Sequence, residues 1–189
     1  MILKCARLRS VHISPDVLRA AADDAASPAW KIVWERSCHQ GTCDPASAAL
    51  LPWMAATIAG FVGVQRETPL ALAGFIAVDA THPDRVTYAD EIEILRALAV
   101  DRLSEAADDA AFVYLLQAIR GLAGDEIWGK ELDHLNDGEI DVQCPECDEE
   151  TLVELMVDGP GITAGLSSAL AELLHAEAVS AAGERWPPD

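Results

Sequence analysis

Along most of this chain, apolar residues return every three or four positions, and the blocks they form open on a repeated signal. Ser14-Pro15, Ser27-Pro28, Asp44-Pro45 and Thr68-Pro69 each set a side-chain acceptor before a proline. The acceptor satisfies an N–H that a helix start leaves without a partner, and the proline has no N–H to leave over. After each pair comes a stretch of helical length: VLRAAADDAA, AWKIVWERSC, ASAALLPWMAATIA and LALAGFIAVDA. Pro52 falls within the third and is expected to kink it, because it removes a backbone bond and crowds the preceding turn.

The same period continues further on. Thr87-x-x-Asp90 is expected to open YADEIEILRALAVDRL, where Ile92, Leu95, Leu98 and Ala99 share a face. AAFVYLLQAIRGLAG follows and stops at Gly124, and a short helix, DEIWGKELDHL, closes at Asn136-Asp137-Gly138. Only then does the period change to two. EIDVQ and TLVELMV alternate on either side of CPECDEE, which predicts a β-hairpin insert over 139–157. A last helix, ITAGLSSALAELLHAEAVSAA, carries Ile162, Leu166, Leu170, Leu173 and Leu174 on one face. The pattern therefore predicts a mostly α fold in one domain, 1–183, with helices in antiparallel succession and one small hairpin near the C-terminus. Residues 184–189 read as a tail.

Composition agrees with helices. About half of the 189 residues are apolar (51%), but alanine dominates that half and aromatics make up only 5%. No apolar run approaches the roughly 18 residues a membrane span needs. MILKCARLRS has neither a long apolar segment nor a small-residue cleavage site, so no signal peptide is expected and the expected location is cytoplasmic.

Charge changes the picture more. Residues 1–43 hold six Lys/Arg against four Asp/Glu, whereas 44–189 hold seven against twenty-eight. Within 125–158 there are thirteen acids and one base, Lys130. Such a surface repels phosphate backbones and disfavours nucleic acid. It suits a cationic protein partner, with Glu146, Glu149 and Glu150 as the candidate contact residues.

Five cysteines are left to explain. In a cytoplasmic chain they are expected as reduced thiols or metal ligands rather than a disulfide framework. Cys144-Pro145-Glu146-Cys147 between two strands has the shape of half a tetrahedral zinc site. Its completion could come from Cys38, His39 and Cys43, from His134, from His175, or from the same knuckle of a second copy in a homodimer. A thioredoxin-like role for Cys144 and Cys147 is disfavoured, because the surrounding acids suppress thiolate. SCHQGTC, over 37–43, reads first as a turn between helices, with Gly41 at positive φ. A Cys/His nucleophile there is the least favoured reading. Trp30, Trp34 and Trp53 are spaced as core residues. No phosphate loop, His-Glu-x-x-His or Gly-x-Ser-x-Gly is present.

His39-Gln40-Gly41-Thr42, Leu51-Pro52-Trp53 and the Cys-Pro-Glu-Cys hairpin together resemble a bacterial, largely actinobacterial, group of HEAT-like helical-repeat proteins of unknown function. The resemblance spans about half the chain. Cys43 stands where the group has an apolar residue, and Asp148 where glycine is frequent. The resemblance implies a HEAT/armadillo-like helical solenoid, an architecture that commonly presents a surface to protein partners. Three functions follow as expectations: a protein-interaction or scaffold module, a zinc-binding protein using Cys144 and Cys147, and an enzyme acting through 38–43.

Overall fold

The computed structural model describes residues 12–137, 139–143 and 150–154, and in it the hydroxyl- or carboxyl-proline signals open helices in three different ways. Helix α1 (Pro15–Asp23) is capped as expected, Ser14 accepting from the Val17 N–H at 3.4 Å. Helix α2 (Ala29–Ser37) begins just after Ser27, whose hydroxyl accepts from the Ala29 N–H at 3.2 Å. Two short strands follow, β1 (Cys38–His39) and β2 (Thr42–Cys43). Asp44 then caps a 3₁₀ helix, Pro45–Leu50, and α3 (Leu51–Ala59) starts directly behind it. Pro52 therefore sits in the first turn of a new helix instead of kinking a long one. Its missing N–H costs nothing there.

A 3₁₀ turn, Gly63–Arg66, leads into α4 (Glu67–Asp79), so Thr68 lies inside the helix rather than at its cap. Helix α5 (His82–Thr87) was not anticipated, although Thr81 and Asp84 form its start: the Asp84 N–H donates to Thr81 Oγ1 at 3.3 Å. Thr87 donates its hydroxyl to the Pro83 carbonyl at 2.8 Å, and α6 (Ala89–Leu103) begins without a side-chain cap. Helix α7 (Asp109–Ala123) is capped by Asp108 and stopped by Gly124, whose φ of 89° suits glycine. The expected short helix resolves into two single turns, α8 (Trp128–Glu131) and α9 (His134–Asp137). Strands β3 (Glu139–Gln143) and β4 (Glu150–Glu154) pair in a two-stranded sheet where the period-two pattern put strands. The predicted last helix and the tail lie outside the described residues. The chain is thus mostly helical, but its sheet content is not confined to one hairpin near the C-terminus, since β1 and β2 form another in mid-chain.

Helix α4 explains how these helices pack. Pro69 through Val78 are all buried, and none of them carries a charge. A helix that is apolar all round has to be surrounded. It lies against α2, α3, α6, α7 and α8, and its most extensive contact is with α7, beyond two intervening helices. Glycines make the crossing close. A Cβ on Gly121 would meet the Gly74 carbonyl oxygen at 2.5 Å, and one on Gly129 would meet Gly121 Cα at 2.7 Å. Two arginines then secure the ends. Arg85 on α5 donates to the Ala77 carbonyl at the end of α4 (2.5 Å) and to the Leu122 carbonyl at the end of α7 (2.6 Å). Burial pulls its pKa below the ordinary arginine value. Arg102, buried near the end of α6, donates twice to Glu67 Oε1 at 3.0 and 2.7 Å. Among the described residues, no helix is long and apolar enough to cross a membrane.

Candidate functional site

The site begins at Gln40 and Gly41, whose φ angles of 53° and 73° are both positive. Two such residues make the tight turn whose twist matches an antiparallel hairpin. Cys38 is thereby set opposite Cys43, and His39 opposite Thr42. Cys38 and Cys43 are joined as a disulfide. This corrects the expectation of free thiols: bonded to each other, these two sulfurs are not available as thiolate ligands for zinc. His39 faces away from them and is exposed, because neighbouring residues of a strand point to opposite faces. A Cys–His nucleophile is therefore not assembled at 38–43.

The hairpin is held by more than its disulfide. The Cys38 N–H donates to the Trp34 carbonyl, and the Asp44 N–H donates to the Ser37 carbonyl at 2.9 Å. Because the 38–43 pair exchanges no backbone bonds, the Cys43 N–H points outward from the hairpin. It donates to Asp79 Oδ2 at 2.6 Å, and Asp79 Oδ1 lies 2.5 Å from Lys130 Nζ. One carboxylate at the end of α4 thus links the hairpin to α8.

Two clefts flank this arrangement. The larger, ≈ 450 Å³, opens between the hairpin tip and the turn over 130–134. Cys38 lines it, and Cys43 does not. The smaller, ≈ 330 Å³, runs beside Glu67, Ala71 and Tyr114. Trp34, Phe75 and Asp133 line both. The Trp34 and Phe75 rings meet edge to face, with centroids 5.7 Å apart. Asp133 Oδ1 is buried and has no hydrogen-bond partner among the described residues. Lys130 and His134 also reach the larger cleft, but Lys130 is engaged by Asp79, and His134 Nδ1 lies 3.7 Å from Glu131. The wall that Trp34 and Phe75 form therefore carries a buried carboxylate oxygen with no hydrogen-bond partner among the described residues.

Of the residues singled out from the sequence, Cys38, His39 and Cys43 come together in the hairpin, and His134 lies across the cleft from it. Among the described residues, no group of three or more His, Cys, Asp or Glu is placed to hold a metal ion. Cys144, Cys147, His175, Glu146 and Glu149 lie outside the described residues, and Glu150 opens β4. Trp34 was expected in the core, yet it is only half buried and forms a cleft wall. Asp79 was missed, although its position held a signal: it is the first charge after eleven uncharged residues. Compared with known proteins, the chain matches no family model, no curated protein and no solved structure.

Proposed function

We propose that this chain is a cytoplasmic protein-interaction module that takes a basic segment of its partner into the two clefts meeting at Trp34, Phe75 and Asp133. The observation that carries the reading is Asp133 Oδ1, buried without a hydrogen-bond partner among the described residues beside two aromatic rings. A guanidinium or ammonium group can satisfy such an oxygen and rest on an aromatic face. The net charge of −19 adds long-range attraction for a cationic partner, and the acidic run over 125–158 includes Glu131 and Asp133 of the cleft. The HEAT-like resemblance points the same way by analogy, since helical arrays commonly serve as binding surfaces.

The test is fluorescence polarisation with a labelled tetra-arginine peptide and a tetra-glutamate control at low ionic strength. The arginine peptide is expected to bind, and Asp133→Asn and Trp34→Ala to weaken it by roughly tenfold each. Neutralising Glu146, Glu149 and Glu150 together tests whether the surface extends along the acidic run. Equal binding of both peptides, or arginine binding indifferent to Trp34, rejects the cleft as the site.

A second reading, zinc at Cys144 and Cys147, is supported by the pairing of β3 and β4 on either side of that knuckle. Elemental analysis of the tag-free protein and of Cys144→Ser tests it, with loss of one zinc per chain or per dimer as the expected outcome.

A further inference from the structure

We propose that Cys38 and Cys43 form a reversible thiol–disulfide exchange site, with Cys38 as the sulfur that meets a small thiol and Cys43 as its resolving partner. Three observations carry this.

The first is the asymmetry of the pair. Cys38 lines the ≈ 450 Å³ cleft, whereas Cys43 is 1% exposed and belongs to neither cleft. A small thiol can therefore approach the disulfide from one side only.

The second is that the hairpin does not need the bond to keep its shape. The positive-φ turn, the Asp44-to-Ser37 and Cys38-to-Trp34 backbone bonds and the Asp79 contact to the Cys43 N–H involve backbone atoms and no sulfur, so opening the bond removes none of them directly. Reduction then needs only side-chain rotation, and the two thiols stay opposite each other, ready to close again. A bond whose opening unfolds its surroundings serves as a staple; this one is built to open.

The third is chain separation. The two cysteines are five positions apart, so the bond restrains a very short loop. Cross-links stabilise through the loop they close, and a loop this short gains less from its bond than a long-range cross-link would.

The exchange balances with two equivalents of a thiol, RSH. A thiolate RS⁻ attacks Cys38 sulfur, the Cys38–Cys43 bond breaks, and Cys43 leaves as thiolate. A second RS⁻ attacks the R-bearing sulfur of the mixed disulfide, releasing RSSR and Cys38 thiolate, and both protein thiolates take protons from water. The protein disulfide gains two electrons and the two thiols lose them. In the reverse direction, Cys38 thiolate attacks RSSR and Cys43 closes the bond. This inference does not depend on the basic-segment reading, because its readout contains no peptide.

The test equilibrates the full chain in reduced and oxidised glutathione at graded ratios, quenches with acid and alkylates the free thiols. Fragmentation of the peptide holding both cysteines then locates each modification. The native chain is expected to titrate reversibly between disulfide and dithiol with an unchanged far-ultraviolet spectrum. At limiting glutathione, the mixed disulfide is expected on Cys38. In Cys43→Ser, oxidised glutathione is expected to modify Cys38 roughly tenfold faster or more than it modifies Cys43 in Cys38→Ser. The wild-type fragment map decides the assignment if either variant fails to fold. Reduction only on denaturation, no disulfide in any oxidised buffer, or attack on Cys43 as fast as on Cys38 would each overturn the proposal.

Discussion

Removing the Asp79 carboxylate separates the two halves of the site and gives a measurable number. In Asp79→Ala, the N–H of Cys43, a residue only 1% exposed, loses its acceptor. An unsatisfied buried donor costs about 1–3 kcal/mol. Lys130 loses its partner too, but its side chain is 30% exposed and regains water, so that share stays below about 1 kcal/mol. The expected loss is about 2–3 kcal/mol, a large part of the roughly 5–15 kcal/mol that holds a domain folded. Asp79→Asn keeps an acceptor for the N–H and removes only the charge, so about 1 kcal/mol is expected. Urea unfolding of the oxidised protein, followed by circular dichroism, reads both variants as midpoint shifts at constant slope. A loss below about 0.5 kcal/mol for Asp79→Ala refutes the reasoning, because it would mean water reaches the Cys43 N–H. So does an Asp79→Asn variant as damaged as Asp79→Ala, since the acceptor would then not be the term that matters.

Other expectations follow from the helix packing and the surface charges. Gly121→Ala places a methyl 2.5 Å from the Gly74 carbonyl oxygen, which forces α4 and α7 apart; a loss of about 1–3 kcal/mol is expected in the same unfolding assay. Glu93 has a depressed pKa because of its hydrogen bond from Arg96, with the charge of Arg96 adding to the effect against some desolvation. Its folded-state pKa lies below the unfolded one, so its contribution is present at neutral pH and is lost as pH falls through the carboxylate range. The side chain is 63% exposed, and Glu93→Gln should therefore change stability by less than about 0.5 kcal/mol, with the difference from wild type vanishing in acid.

Much of the helical plan was legible because local signals agreed with it. Ser14, Ser27, Asp44 and Asp108 act on helix starts through atoms within a few residues of themselves. The failures came where one residue type serves two purposes. Pro52 is compatible with a kink and with a first turn, and the 3₁₀ geometry of 45–50 decided for the latter. Thr87 donates its hydroxyl back to the Pro83 carbonyl, so α6 begins without a side-chain cap, while Thr81 caps the unanticipated α5. The hairpin was half legible: Gly41 announced a turn, but Gln40 also takes a positive φ, which no glycine marked. The cleft was not legible at all. Trp34 on α2, Phe75 on α4, and Lys130 with Asp133 in the turn over 130–134 come from three segments joined only by the way α4 is enclosed, and pairing over such distances leaves no local pattern. The HEAT-like expectation rests on sequential neighbours stacking, whereas the most extensive packing joins α4 to α7 across two intervening helices.

That enclosure also has a consequence for the order in which the protein is made. The stretch of α4 from Pro69 to Val78 leaves the ribosome as an uncharged apolar segment, and the chief partner of that helix, α7, is synthesised only afterwards. Between Gly74 and Gly121 the wait is a few seconds at roughly 5–20 residues per second. Throughout it, the segment that ends as the most enclosed in the described chain has α2 and α3 but not its chief partner to cover it. The Arg85 clasp cannot close until Leu122 has emerged, because two of its three carbonyl acceptors, on Gly121 and Leu122, lie at the end of α7. Folding of this core is therefore a late, joint event, and a chain released before the end of α7 carries an apolar helix that lacks its chief partner.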